Sequence, residues 1–180
     1  MRKLLCLAVI TLLPAVLWAK DFLLPGVLTL TVPKDAEGKD WVVMESREAV
    51  ATFVGPAEGR VKPAFVLARE KVTTGLEVTD YTREAEKALG KSLTDFKVLS
   101  RKSRKLDGEK AREYLYTHAL PAGQKVTVRA YVALFNGNAY TLYFRASDEV
   151  YEKHVKAFEE VAAGLKWDKP EAKKADGKKP

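Results

Sequence analysis

His118 and His154 are the only two imidazoles in this chain of 180 residues, and with a carboxylate such as Glu113 they are the set best suited in type to hold a metal ion or move a proton. They are not at any ligand spacing. His154 falls on the buried stripe of a helical pattern and His118 near a strand end, so both read as core or edge histidines and no metal is expected. The serines at 46, 92, 100, 103 and 147 lie in no Gly-x-Ser-x-Gly elbow, and Gly55 to Gly59 lacks the Lys-Ser or Lys-Thr pair that completes a phosphate loop. The sole cysteine, Cys6, is separated from a basic pair by only two residues, too early for a lipid-attachment cysteine. Once the leader that contains it is removed, disulfides, thiol catalysis and thiolate metal sites are all excluded. No catalytic residue and no cofactor are expected.

Two surface features remain. Arg101, Lys102, Arg104 and Lys105, reinforced by Lys97, Lys110 and Arg112, form the densest basic stretch. At a strand end and turn it reads as a solvated hairpin tip, or as a contact for an acidic partner or anionic headgroups. The second feature is Arg129 and Tyr131 beside Tyr143 and Arg145. If the hairpin between them closes through Asn136, Gly137 and Asn138, then Val128, Ala130, Val132 and Leu134 share an apolar face with Tyr140, Leu142 and Phe144, and these four residues share the other. Two arginines so placed repel unless an acid lies between them. Either a helix covers this face, with Glu113 or another carboxylate as partner, or the face is an exposed aromatic and arginine patch, the composition of interface hot spots.

The elements that must position these residues follow from period and punctuation. Short β-prone runs at Val27 to Val32, Trp41 to Met44, Ala49 to Val54 and Ala64 to Val72 are separated by Pro33, Asp35, Gly38 and Gly55-Pro56. The period then changes: Leu76, Tyr81, Ala85, Ala88 and Leu89 mark a half-buried helix that Gly90 should stop. Phe96 to Ser100 resumes as strand. Asp107-Gly108, Pro121-Ala122-Gly123 and Asn136-Gly137 divide Glu109 to Arg145 into an antiparallel meander. Ser147 or Asp148 can cap a last helix with a stripe of Val150, His154, Phe158, Val161 and Leu165, and Leu165 to Trp167 adds a final short strand.

Arg2 and Lys3, the apolar run from Leu4 to Trp18, and Ala19 before Lys20 and Asp21 have the order of a secretory signal. The run is short for a membrane span and Pro14 interrupts it, so cleavage is expected, with retention as an anchor the alternative. The organisation expected is a signal at 1–19, one domain at 20–167 and a disordered Lys- and Pro-rich tail at 168–180. The formal net charge is +7, and losing Arg2 and Lys3 leaves +5, mixed with 24 acidic residues. That balance implies weak affinity for anionic surfaces and gives no argument for nucleic acid. Charged residues make up 31% while Asn and Gln are nearly absent, a composition resembling that of thermophile proteins.

Leu28-Thr29-Leu30-Thr31-Val32-Pro33, the helix of Leu76 to Leu89, Leu106-Asp107-Gly108-Glu109-Lys110-Ala111, Asn136-Gly137-Asn138-Ala139-Tyr140-Thr141-Leu142 and the Phe158-to-Trp167 ending together resemble the PsbP-like fold. That fold is shared by photosystem-associated PsbP proteins, DcrB-type envelope proteins and nuclear Ran-binding proteins. The resemblance implies an α+β architecture, an antiparallel β-sheet with helices packed on it. It also implies docking to another macromolecule without catalysis. The expectation is an exported accessory or docking module with a protein partner at the cell envelope, touching membrane only through an uncleaved signal. The alternative is a small-ligand or lipid-binding carrier using a cavity between the sheet and its helix. An enclosed apolar pocket favours the carrier, and a flat patch with exposed Tyr and Arg the docking module.

Overall fold

The computed structural model describes residues 21–32, 34, 41–44, 49–58 and 61–169; the signal segment and the tail from 170 onward lie outside the described residues. The element order is β1 (Asp21–Leu24), β2 (Leu28–Thr31), β3 (Val42–Met44), β4 (Ala51–Val54), β5 (Ala64–Lys71), α1 (Val78–Ser92), β6 (Thr94–Leu106), β7 (Glu109–Ala119), β8 (Lys125–Phe135), β9 (Asn138–Ser147), α2 (Asp148–Gly164) and β10 (Lys166–Trp167). A seven-stranded antiparallel sheet runs β3-β4-β5-β9-β8-β7-β6, and a three-stranded sheet runs β1-β2-β10. The architecture is the expected α+β sandwich.

The layer on one side of the large sheet is α2 with the small sheet beside it. Phe144 lies between the sheet and α2, its ring 5.4 Å from Phe158 and 5.6 Å from Tyr151. Phe53 stacks on Phe65 at 4.2 Å and meets Phe22 of β1 edge-on. Burial of these rings with Leu28, Leu30 and Leu165 takes large apolar side chains out of water, the kind of contribution that dominates stabilisation. Gly55 belongs to this packing, because a Cβ there would lie 2.9 Å from the Trp41 indole. Strand β10 is latched down: Trp167 donates its indole N–H to the Leu106 carbonyl at 2.8 Å and its backbone N–H to Asp107 at 3.0 Å. Order therefore continues past Trp167, with Lys169 paired to Glu109 at 3.0 Å.

The β8–β9 register differs from the sequence expectation by one residue. Phe135 pairs with Asn138, so only Asn136 and Gly137 form the turn, both with positive φ (47° and 70°). Two-residue turns of this primed type match the right-handed strand twist, and that preference prevails here. Tyr131 is therefore opposite Leu142 and Arg129 opposite Phe144, all facing α2, while Ala130 is opposite Tyr143 and Val128 opposite Arg145 on the α1 side. Both faces of β8 are buried, so alternation of apolar residues carried no information about register. Gly137→Val should cost about 1–2 kcal/mol, since a β-branched residue resists the left-handed region, and lower Tm by roughly 2–8 °C in a thermal melt.

Two further points depart from expectation. Gly90 does not stop α1, which runs on to Ser92. Ser147 is the N-cap of α2, as expected, though without a side-chain bond, and Thr127 donates to Asp148 at 2.6 Å. The strand β1 had no counterpart in the sequence reading.

Candidate functional site

Helix α1 lies over β6, β7 and β8 but does not press onto them. Among its residues only Val78 and Thr82 are fully buried. Its underside carries Ala85, Ala88 and Leu89, and below it the sheet offers Ala130, Val132 and the rings of Tyr114 and Tyr116. Small residues on both sides leave a cleft of about 380 Å³. That is within the range of about 300–1,000 Å³ in which ligand pockets fall. Ion pairs on the helix's outer surface, Arg83 with Asp80 and Lys87 with Glu84, stay in solvent.

Two polar ties hold the helix over the cleft. Tyr81 donates its hydroxyl to Glu70 of β5 at 2.8 Å, and Arg101 of β6 donates Nε to Glu86 at 2.8 Å. Both carboxylates that line the cleft are thus already partnered. The bond from Arg101 holds Glu86 below the usual carboxylate range despite some burial. Burial, then the bond to Glu70, pushes the Tyr81 phenol up, and burial with the neighbouring Tyr143 pushes Tyr116 up to about 12. At neutral pH the phenols are uncharged, and the interior is apolar with hydroxyls at its margin.

Beyond the edge of α1 the same sheet face continues over β9, β5 and β4 as an open hollow of about 640 Å³. Ala68 and Tyr143 line both spaces, so the cleft and the hollow adjoin. Half-buried Tyr143 stands at the junction, and exposed Arg145 and Lys62 lie in the hollow.

A family model, DcrB, matches residues 28–164, from β2 to the end of α2, most of the chain and both walls of the cleft. The chain belongs to the DcrB family. No match among curated protein sequences is found. Solved structures share the fold at low identity. LpqN of Mycobacterium tuberculosis, described as involved in cell envelope biogenesis, is 21% identical with a TM-score of 0.59, covering 79% of this chain and 85% of its own. Cyanobacterial PsbP from Synechocystis is 10% identical at a TM-score of 0.62, with 86% and 95% covered. The Saccharomyces cerevisiae Ran-binding protein Mog1p is 10% identical at 0.56, with 82% and 94% covered. The fold of this DcrB-family protein is therefore PsbP-like, as its sequence motifs implied.

The residues singled out from sequence are redistributed in this DcrB-family chain. Arg129, Tyr131, Tyr143 and Arg145 do not form one patch, because the register places the first two under α2 and the last two on the α1 side. Arg129 donates Nε to the Tyr151 hydroxyl at 3.1 Å, pairs with Glu159 and lies 4.0 Å from the buried Glu113. Burial opposes its charge, yet Tyr151 and Glu159 hold its pKa above the usual arginine range. Tyr131 packs 5.6 Å from Phe158. The helix-covered reading therefore holds for this half, with Glu159 of α2 as the close carboxylate partner and Glu113 at 4.0 Å.

The basic stretch is not a hairpin tip. Arg101, Lys102, Arg104 and Lys105 lie inside β6, an edge strand, with side chains alternating between faces. Arg104 donates to Glu113 at 2.6 Å and Arg101 to Glu86, so its arginines tie the sheet to its own domain. His118 sits 6.2 Å from the Tyr116 ring, whereas His154 meets Trp41 edge-on at 5.7 Å. Among the described residues no group of three or more His, Cys, Asp or Glu is placed to hold a metal ion. No helix among them is long and apolar enough to cross a membrane.

Proposed function

We propose that this DcrB-family protein is an exported, non-enzymatic carrier at the cell envelope that binds an apolar ligand between α1 and the sheet. The cleft of about 380 Å³ is the observation that carries this reading. Its lining of alanines and neutral tyrosines provides apolar burial with hydroxyls for orientation, the usual composition of a small-molecule site. Export rests on the signal-like order of residues 2 to 21. The envelope setting is supported by the described role of LpqN, which shares the fold. The carrier is favoured over the docking expectation because Arg129 and Tyr131, half of the aromatic and arginine patch, lie beneath α2 and contact its residues.

The test is to fill the cleft from the helix side, where Ala85 is half-buried and a larger side chain points into existing space. N-phenylnaphthylamine, an uncharged fluorophore that brightens in apolar surroundings, should bind the native protein saturably. Ala85→Phe should weaken that binding about tenfold or more, with a melt showing the fold retained. Equal binding by the folded variant would remove the cleft from the account.

A further inference from the structure

Resting on the carrier reading, we infer that the ligand is a single-chain amphiphile with an anionic headgroup, its chain beneath α1 and its head beside Arg145 and Lys62. The cleft under α1 and the hollow beyond it share Ala68 and Tyr143, so one elongated molecule can occupy both. Their chemistry differs along that path. Under the helix the walls are mostly alanine, leucine, valine and aromatic rings, with the hydroxyls of Thr82, Ser92 and Thr141, and the carboxylates present are bonded to Tyr81 and Arg101. Among the described residues, the charged side chains lining the hollow are Lys62 and Arg145, both cations.

Arg101, Arg104 and Arg129 each face a glutamate, and Arg112 donates to the Ser103 hydroxyl, whereas Arg145 has no ion-pair partner among the described residues and opens onto the hollow. It faces Val128 on one side and Ala64 on the other, at the floor of an open hollow. A guanidinium there offers a planar fork of donors suited to a phosphate or carboxylate, and Lys62 adds a second positive charge. An uncharged ligand would leave both cations unused. Pairing them with an anion while the chain displaces water from the cleft uses both halves of the site.

Calorimetric titration with dodecyl phosphate, dodecanol and inorganic phosphate separates the outcomes. Dodecyl phosphate should bind about tenfold or more tightly than dodecanol, inorganic phosphate should not compete, and Arg145→Gln with Lys62→Gln should bring the phosphate ester down toward the alcohol. Arg145 is exposed, so the variant's melt should match that of the native protein and exclude misfolding as the cause. Equal affinity for ester and alcohol, or an ester affinity untouched by the double substitution, would overturn the headgroup assignment and leave the apolar cleft standing. Competition by inorganic phosphate would mean a free-anion site in place of an amphiphile site. If neither chain compound binds, the carrier reading falls with the inference.

Discussion

Phe144→Ala is expected to destabilise the domain by about 3–5 kcal/mol in urea unfolding, the range for deleting a core aromatic. Phe144 is fully buried, with Trp41, Tyr151 and Phe158 as ring neighbours at 5.4–6.4 Å. These neighbours come from the segment before β3 and from α2, so collapse around the gap would have to move both elements. Tyr143→Ala should cost clearly less, because that ring stands half-buried where the cleft opens into the hollow. A larger cost at Tyr143 than at Phe144 would mean that β9 is turned over relative to its neighbours.

Arg129→Ala is expected to cost about 1.5–3 kcal/mol, because it removes charge-assisted bonds that join the sheet to α2. The Arg129 side chain is only 17% exposed and bridges Glu113, Tyr151 and Glu159 between sheet and helix. Glu113 would remain buried with Arg104 as its ion-pair partner, and Tyr151 and Glu159 would lose their tie to the sheet. Replacing Glu113 with Leu as well as Arg129 with Met should recover much of the loss, since an apolar pair of similar volume avoids the desolvation cost. Were Arg129 part of an exposed patch, its single substitution would fall within about 0.5 kcal/mol in the same unfolding experiment.

Most strands and both helices were legible in the sequence because each carries its own period and is bounded by glycine, proline or Asx turns. The faces of β8 were not. Alternation identifies the buried face only where the other face is wet, and here Val126, Val128, Ala130 and Val132 are as buried as Tyr131 and Ala133. The deciding signal was present in Asn136-Gly137, a pair suited to a two-residue turn that leaves Asn138 in the strand. Reading it as a three-residue loop turned one strand over, which joined Arg129 and Tyr131 to Tyr143 and Arg145 as a single patch. The cleft was hidden for a related reason. Ala85 and Ala88 satisfy a helical apolar stripe in sequence, yet their small size is what holds the α1 backbone near the sheet without filling the space between. The strand β1 escaped because Phe22, Leu23 and Leu24 follow a signal-like apolar run with only Lys20 and Asp21 between.

The most direct test of the carrier account is methyl NMR of alanine-labelled protein during titration with dodecyl phosphate. Ala68, Ala85, Ala88 and Ala130 line the space under α1, whereas Ala133, Ala146 and Ala162 are buried on the α2 side. The account expects saturable shifts confined to the first group, with the second group unmoved. Shifts centred on Ala133, Ala146 and Ala162, or no saturable shift in either group, would contradict it.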